Sequence, residues 1–509
     1  MAGAHSREHI IVVVPTNRVW VWHGRLISAL QSSFEVEVYS SGKAPPYPRS
    51  VALWIRLEKC FLEKFDLVNF AHAPAVAWGQ RRGGGVYSLI LNLSEEPIFC
   101  SDIPVIEARY QGSVDSLNLF AALFARQNPY LSFHLEGSEE PIVASYLAIP
   151  DKMVLARGLQ NSFARLIALA ERATKHVIEC TRAAIIPRSR NSSPVFSFVT
   201  MVLFYLQFGL DKAFASFIRR LQIQEHWSIA LVQLENWHMT RELSLRKAVI
   251  MPDDGQRYYA DPFLFADAER RWLFCEELQY HTGKGIISCA QVEDGCVISA
   301  PRPVLERPYH LSYPFVFRQG GEIYMIPETG GNSTVELYRA QSFPFSWVLY
   351  STLLENVALY DATLLQYRNR FWLFGAISHY ASAPLDELAV FYSERLEGPW
   401  HPHRLNPVKS DCRSARPAGR VVMRDNRLFR PAQDCESGYG SALVWCEICE
   451  LTPERFDERE VGRWHAHEPL NADGFHTFGC DENALGVIDI KRVVWKYSVH
   501  RRKGETPVK

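Results

Sequence analysis

Five residues recur at one place in a repeated pattern of the C-terminal half: Asp261, Tyr313, Asp361, Arg416 and His476. They sit in YADPFLFADAERRWLFCEEL, LSYPFVFRQGGEIYMIPET, LYDATLLQYRNRFWLFGAI, SARPAGRVVMRDNRLFRPAQD and GFHTFGCDENALGVIDIKR. Each copy reads as a strand, a polar turn and a second strand rich in aromatic or aliphatic residues. Two acids, an arginine and a histidine at equivalent repeat positions, flanked by apolar residues, are candidates to share one site. Glu328, at the end of the second strand of its copy, adds a third carboxyl to Asp261 and Asp361. Glycosyl transfer or hydrolysis needs one carboxylate as base or nucleophile and one protonated carboxyl as acid. Crowding acids in a partly buried funnel separates their pKa values and so their roles. Asp261, Asp361 and Glu328 are therefore the expected catalytic residues.

Turns after the second strands offer a further layer: Glu276 and Glu277, His379, and Asp434. Arg413 and Arg416 precede the fourth copy, where planar guanidinium groups can hold a carboxylate or phosphate bidentately. The alternative is that they neutralise Asp261 and Asp361 as structural ion pairs. Arg413, Arg416, His476, Tyr313, Glu277 and Asp434 are the expected substrate-binding residues, with no cofactor or metal.

A unit of about 50 residues with several strands each implies a β-propeller, and five copies imply five blades. The equivalent residues would then line one mouth of the central channel. Strands such as GIISCAQV, TVELYRA, AVFYSER and SALVWCEI would complete four-stranded blades. HWSIALV, His226 to Val232, has no partner in its own unit and is expected to close the ring beside VVWKYSV in the last blade, removing free sheet edges. Residues 225–509 are thus expected to form an all-β five-bladed propeller.

Residues 1–190 follow a different pattern, alternating strands (HIIVVVP, FEVEVYS, DLVNF, YSLILNLS) with helices (RVWVWHGRLISALQSS, VALWIRLEKCFLEKF and a long helix-forming run from Pro150 to Ala184). That order predicts an α/β open sheet with helices on its faces. The triple glycine Gly83-Gly84-Gly85 precedes a strand rather than joining strand to helix, so it reads as a tight turn and not as a dinucleotide fingerprint. Residues 191–224 form a helical linker. Its apolar run VFSFVTMVLFYLQFGL is shorter than the roughly 20 residues of a bilayer span. A packed helix is expected there, with contact to a membrane surface through 195–222 as the alternative.

The 509 residues carry 55 Lys+Arg against 56 Asp+Glu, a net charge of -1. No global field attracts nucleic acid, and none is expected as a partner. Eleven cysteines lack a regular framework, which points to reduced thiols and a cytoplasmic setting. Cys446 and Cys449 have knuckle spacing without a second pair, inside a segment that alternates like a strand.

ADPFLF, HLSYPFVF, IYMIPET, DATLL, ARPAGR and GFHTF together resemble a bacterial family whose C-terminal half is a five-bladed propeller. That family is related to the N-terminal domain of plant glucosamine inositolphosphorylceramide transferase and is similar to glycoside hydrolase families 43, 32 and 68. The resemblance implies Asp261 as base or nucleophile and Asp361 as the acid that orients substrate or tunes its neighbour. It departs at the general acid, which those hydrolases draw from a later blade, whereas Glu328 lies in the second. Through DLVNF and LILNLSEEP the N-terminal half resembles a diverged formyltransferase domain, whose chemistry uses an Asn, a His and an Asp. Asn92 matches the Asn, but FCSDIPVIEARYQGS supplies no histidine, so a degenerate domain is expected. The expected function is glycoside hydrolysis or glycosyl transfer on a carbohydrate or glycoconjugate. The alternatives are a non-hydrolytic glycan- or nucleotide-sugar-binding protein of a polysaccharide or glycolipid pathway, and a formyl or acyl transferase acting on an amino sugar.

Overall fold

The computed structural model describes residues 7–42, 47–61, 67–68, 71, 86–179, 186, 197–234, 237–267, 270–293, 297–380, 382–465, 472–481 and 485–495. The chain divides into two compact units, Met1–Gly209 with His379–Ala383, and Leu210–Ser378 with Pro384–Lys509.

The first unit is built on β1 (His9–Pro15), α1 (Val21–Gln31), β2 (Glu35–Ser41), α2 (Arg49–Phe61), β3 (Leu89–Asn92), β4 (Val105–Tyr110), α3 (Leu117–Phe124), β5 (Tyr130–Leu135), β6 (Pro141–Tyr146) and α4 (Leu155–Ile178). Its six-stranded sheet has the order β2-β1-β3-β4-β5-β6. The first four strands in that order are parallel, β5 is antiparallel to β4, and β6 is antiparallel to β5. Ile10 to Val14 and Leu89 to Leu91 are buried throughout, which is why β1 and β3 read as unbroken apolar runs. The α/β open sheet is present, but β4, α3, β5 and β6 had no counterpart in the pattern reading. DLVNF is not a strand where it is described: Leu67 and Val68 lie in a bend. The triple glycine falls outside the described residues.

The expected linker holds α5 (Phe198–Leu221), which runs directly into β7 (Gln222–Gln233). Met201 and Phe204 bury into the core of the first unit, and Tyr205 stacks on Trp54 at 4.0 Å. Val199, Leu203, Leu206, Leu210 and Phe214 stay exposed. Among the described residues no helix is long and apolar enough to cross a membrane.

The second unit is the all-β propeller. Five sheets, each an ordered path of four strands, have as innermost strands Arg257–Asp267, Ser312–Gln319, Leu359–Tyr367, Val422–Arg424 and Phe478–Cys480. The ring closes as expected in kind but not in register. β7 pairs with Leu485–Trp495, and His226 to Val232 lie opposite Arg492 to Gly486 rather than opposite VVWKYSV. Aromatic packing within and between blades, such as Trp445 on Trp464 at 5.2 Å, accounts for much of the aromatic content. Cys446 is buried and Cys449 exposed on one strand, so the two thiols do not share a face.

Candidate functional site at the propeller axis

Asp261, Tyr313 and Asp361 have φ of 51°, 45° and 54°, in the left-handed region that L residues avoid. Each sits at a break in strand register: between Phe274 and Glu276 on the partner strand in blade one, between Ser312 and Phe315 in blade two, and between Tyr360 and Thr363 in blade three. A bulge adds a residue to one strand and re-aims its side chain. Holding an L residue there costs on the order of 1–3 kcal/mol, so three equivalent cases mark a geometry the fold over-determines. In these three blades the repeat position is a bulge that turns one side chain towards the axis.

There the predicted residues meet. Arg416 clamps Asp361 with Nε on Oδ2 at 2.6 Å and Nη2 on Oδ1 at 3.2 Å, and Gln433 Nε2 donates to Oδ2 at 2.8 Å. Glu328 Oε2 accepts the backbone N–H of Asp361 at 3.1 Å and lies 3.9 Å from the Arg416 guanidinium. On the other side, Asp261 Oδ2 accepts the N–H of Tyr313 at 3.1 Å, and Oδ1 accepts Thr477 Oγ1 at 2.7 Å. His476 joins Asp261 through Nε2 at 3.3 Å and Asp489 through Nδ1 at 2.7 Å. Tyr439 links the halves, its ring 4.9 Å from the Arg416 guanidinium carbon and 4.9 Å from the His476 ring.

The charges do not balance. Four carboxyls (Asp261, Glu328, Asp361 and Asp489) share two cations, Arg416 and His476, and all six side chains are buried. Burial, then the neighbouring Asp361, raises Glu328 well above the ordinary glutamate range, which favours its protonated form. Burial raises Asp261 to about 7, against the pull of His476 and with Asp361 adding to the rise. Burial pulls His476 down, but Asp489 and Asp261 outweigh it and raise the imidazole to about 9. The two groups rise together: Asp261 exchanges its proton near neutrality, while His476 keeps its own up to about pH 9.

Not every expected site residue belongs to this cluster. Glu277 is engaged elsewhere, by Arg257 at 2.5 Å and Ser288 at 2.7 Å. Its neighbour Glu276 instead meets His310 at 3.2 Å and bears electrostatically on Asp261. Asp434 pairs with Arg463, while its neighbour Gln433 reaches the axis. In both cases strand alternation turns adjacent side chains to opposite faces. Arg413 closes its fork on Asp411 at 2.7–2.8 Å. Tyr313 reaches the axis but is wholly buried as a bolt between blades, its hydroxyl bonded to Thr363 Oγ1 at 2.8 Å and accepting the N–H of Gly419 at 2.6 Å. It is not available to a ligand. Gly419 has φ +127°, and a Cβ there would meet the Phe478 carbonyl oxygen at 2.0 Å, so only glycine fits. His379 groups with the first unit rather than with the hub.

The residues missed are Asp489, Gln433, Thr477 and Tyr439. Asp489 is fully buried and accepts the N–H groups of Asp261, His476 and Thr477 at 2.9–3.0 Å. An acid in the middle of the apolar run GVIDI was the available signal. Asp261, His476 and Asp489 also have ligand atoms within 4.8 Å of one another. Their carboxylate oxygens accept five hydrogen bonds from the protein, while the buried His476 Nδ1 makes none. In the first unit, Asn92 donates to Glu96 O at 2.7 Å and accepts from Ser94, locking its own turn.

Among solved structures, the chain is similar to Zg3597, a family 117 glycoside hydrolase of Zobellia galactanivorans, at 11% identity and TM-score 0.35, covering 53% of this chain and 90% of that one. It is also similar to the GH43_1 enzyme of Xanthomonas citri, at 10% identity and TM-score 0.35, covering 47% and 87%. The strand topology carries the fold without them. In sequence, the chain is 36% identical over 217 residues to glucosamine inositolphosphorylceramide transferase 1 of Oryza sativa subsp. japonica, covering 41% of this chain and 29% of that protein. Against the Arabidopsis thaliana protein of the same name it is 35% identical over 208 residues, covering 40% and 27%. The chain therefore spans less than a third of the length of these relatives. Residues 225–478, most of the propeller, match the family described as glucosamine inositolphosphorylceramide transferase 1, N-terminal.

Proposed function

We propose that the propeller hub acts on a carbohydrate or glycoconjugate, hydrolysing or transferring a glycosyl unit. One observation carries the reading: more carboxyls than cations around one axis, with Glu328 raised well above the ordinary glutamate range and Asp261 raised to about 7. Glu328 donates a proton to the departing oxygen, and Asp261, coupled to His476, takes one from water or an acceptor hydroxyl. Arg416 and Gln433 hold Asp361, whose charge keeps the proton on Glu328. The sugar named in the plant relatives' description supports the substrate class.

The test is Asp261→Asn, assayed on a panel of glycosides and glycolipid donors. Turnover is expected to fall at least about a hundredfold with the melting profile kept, since positioned acid–base catalysis contributes about 10²–10⁴-fold. Normal turnover by the variant would exclude Asp261 as the base. A second reading, glycan binding without turnover, is favoured by the saturated hydrogen bonding of both Asp261 and Asp361. Calorimetric binding of a glycan with no product after days of incubation would select it.

We infer further that the N-terminal sheet is a formyltransferase-like domain without formyl transfer. Its parallel β2-β1-β3-β4 core supports the likeness, and Asn92, spent on its own turn, supports the loss of activity. Binding of a folate cofactor would restore the amino-sugar transferase reading. A cytoplasmic setting is supported by the buried unpaired thiols of Cys275, Cys289, Cys412, Cys435 and Cys446, and fractionation of the native protein tests it.

A further inference from the structure

Away from the hub, the third blade carries a cavity of about 490 Å³ lined by Arg370, Tyr392, Glu394, Arg395, Pro399 and His401, among others. Three strands build its wall. Trp372, Tyr392 and His401 lie side by side in register across them. The Tyr392 ring is 5.7 Å from Trp372 and 5.6 Å from His401, and the Arg370 guanidinium carbon stands 5.9 Å over it. Arg395 is tied by Nε to the Gly398 carbonyl at 3.2 Å, and its backbone N–H is bonded to Ser393 Oγ at 3.2 Å. Both guanidinium groups are thus held by contacts that do not neutralise them.

Elsewhere in the propeller Arg257, Arg318, Arg459 and Arg463 each close on a carboxylate, whereas Arg302, Arg339 and Arg424 lie over aromatic rings. Among the described residues neither Arg370 nor Arg395 is within ion-pair distance of an acid. Glu394 is the one acid in the lining, against two arginines and His401. Two positioned guanidinium forks beside a cavity in the size range of small-ligand sites, roughly 300–1,000 Å³, suit a group with two or more anionic oxygens.

We propose that this cavity binds the oxyanion of a glycoconjugate, a phosphate or a carboxylate, through Arg370 and Arg395. The site lies on a different part of the propeller from the hub carboxyls, and its occupancy does not depend on whether the hub turns a substrate over.

Titration calorimetry of the full chain with inorganic phosphate, with a glucuronate-containing oligosaccharide and with a neutral oligosaccharide of equal length tests it. Saturable binding of at least one anion is expected, weakening as ionic strength rises, with none of the neutral sugar. The preferred anion identifies whether phosphate or carboxylate is the recognised group. The double variant Arg370→Gln/Arg395→Gln should bind at least about tenfold more weakly, because each charge-assisted bond is about twice as strong as a neutral one. The double lysine variant, which keeps charge but loses the planar fork, should fall between the two. Unchanged affinity in the glutamine variant, full affinity in the lysine variant, or no saturable binding of either anion would overturn the assignment. Unaltered melting of both variants checks that the blade remains folded.

Discussion

Two buried charge clusters of the propeller invite comparison. In blade four, Glu458 receives a bidentate clamp from Arg430, at 2.9 and 2.6 Å, and Lys409 Nζ at 2.7 Å. Two cations serve one carboxylate. Burial alone would raise Glu458, but Arg430 and Lys409 override it and bring it down to about 2. At the axis the ratio is reversed, with four carboxyls to two cations, and Glu328 and Asp261 rise. The first cluster has one stable charge state and nothing left to exchange. The second keeps protons that a reaction can use. Burial is common to both, and the count of partners separates a structural ion pair from a candidate acid–base site.

The largest effect should come from breaking the balanced cluster. Arg430→Met should cost about 3–5 kcal/mol in urea denaturation, since removing one partner of a buried pair leaves an uncompensated charge. A loss below about 1 kcal/mol would mean that Lys409 alone satisfies Glu458. Next is the alkaline limb of stability. The raised His476 stabilises fully below its usual 6.5, and that contribution disappears as pH rises through about 9. Melting temperature should therefore fall between pH 6.5 and 9, and His476→Gln should flatten the slope. An unchanged slope in the variant would remove His476 as the source.

Arg413→Gln should cost about 1–3 kcal/mol by leaving Asp411 short of donors, yet leave hub chemistry untouched. A change in substrate KM in that variant would return Arg413 to the binding set. The smallest effect on stability belongs to Glu328→Gln, which replaces the proposed protonated carboxyl by a neutral amide of the same shape and should cost no more than about 1 kcal/mol. A large loss of stability would mean that Glu328 is ionised, and the proposed acid would be lost with it.

How much of this was legible depended on the type of signal. The repeat made the blades readable because each unit must bury the same faces. It also led to the hub, since equivalent positions in a closed ring face a common axis. The neighbouring choices went astray at Glu277 for Glu276 and Asp434 for Gln433. Adjacent residues of a strand face opposite ways, and nothing in the local pattern says which of each pair faces the axis. In the N-terminal unit the fully buried β1 and β3 stood out as apolar runs. In contrast β5 and β6, antiparallel and mixed in polarity, left no clean period.

From the chain alone came the five-fold repeat, the residue types at its equivalent positions and the excess of acids among them, because composition and spacing are properties of the polymer. Tertiary structure alone decided which acid meets which base: Arg416 on Asp361, His476 between Asp261 and Asp489, and the burial that raises the proton affinity of Glu328. Those pairings join residues tens to hundreds of positions apart, and the burial that sets their proton affinities exists only once the ring has closed.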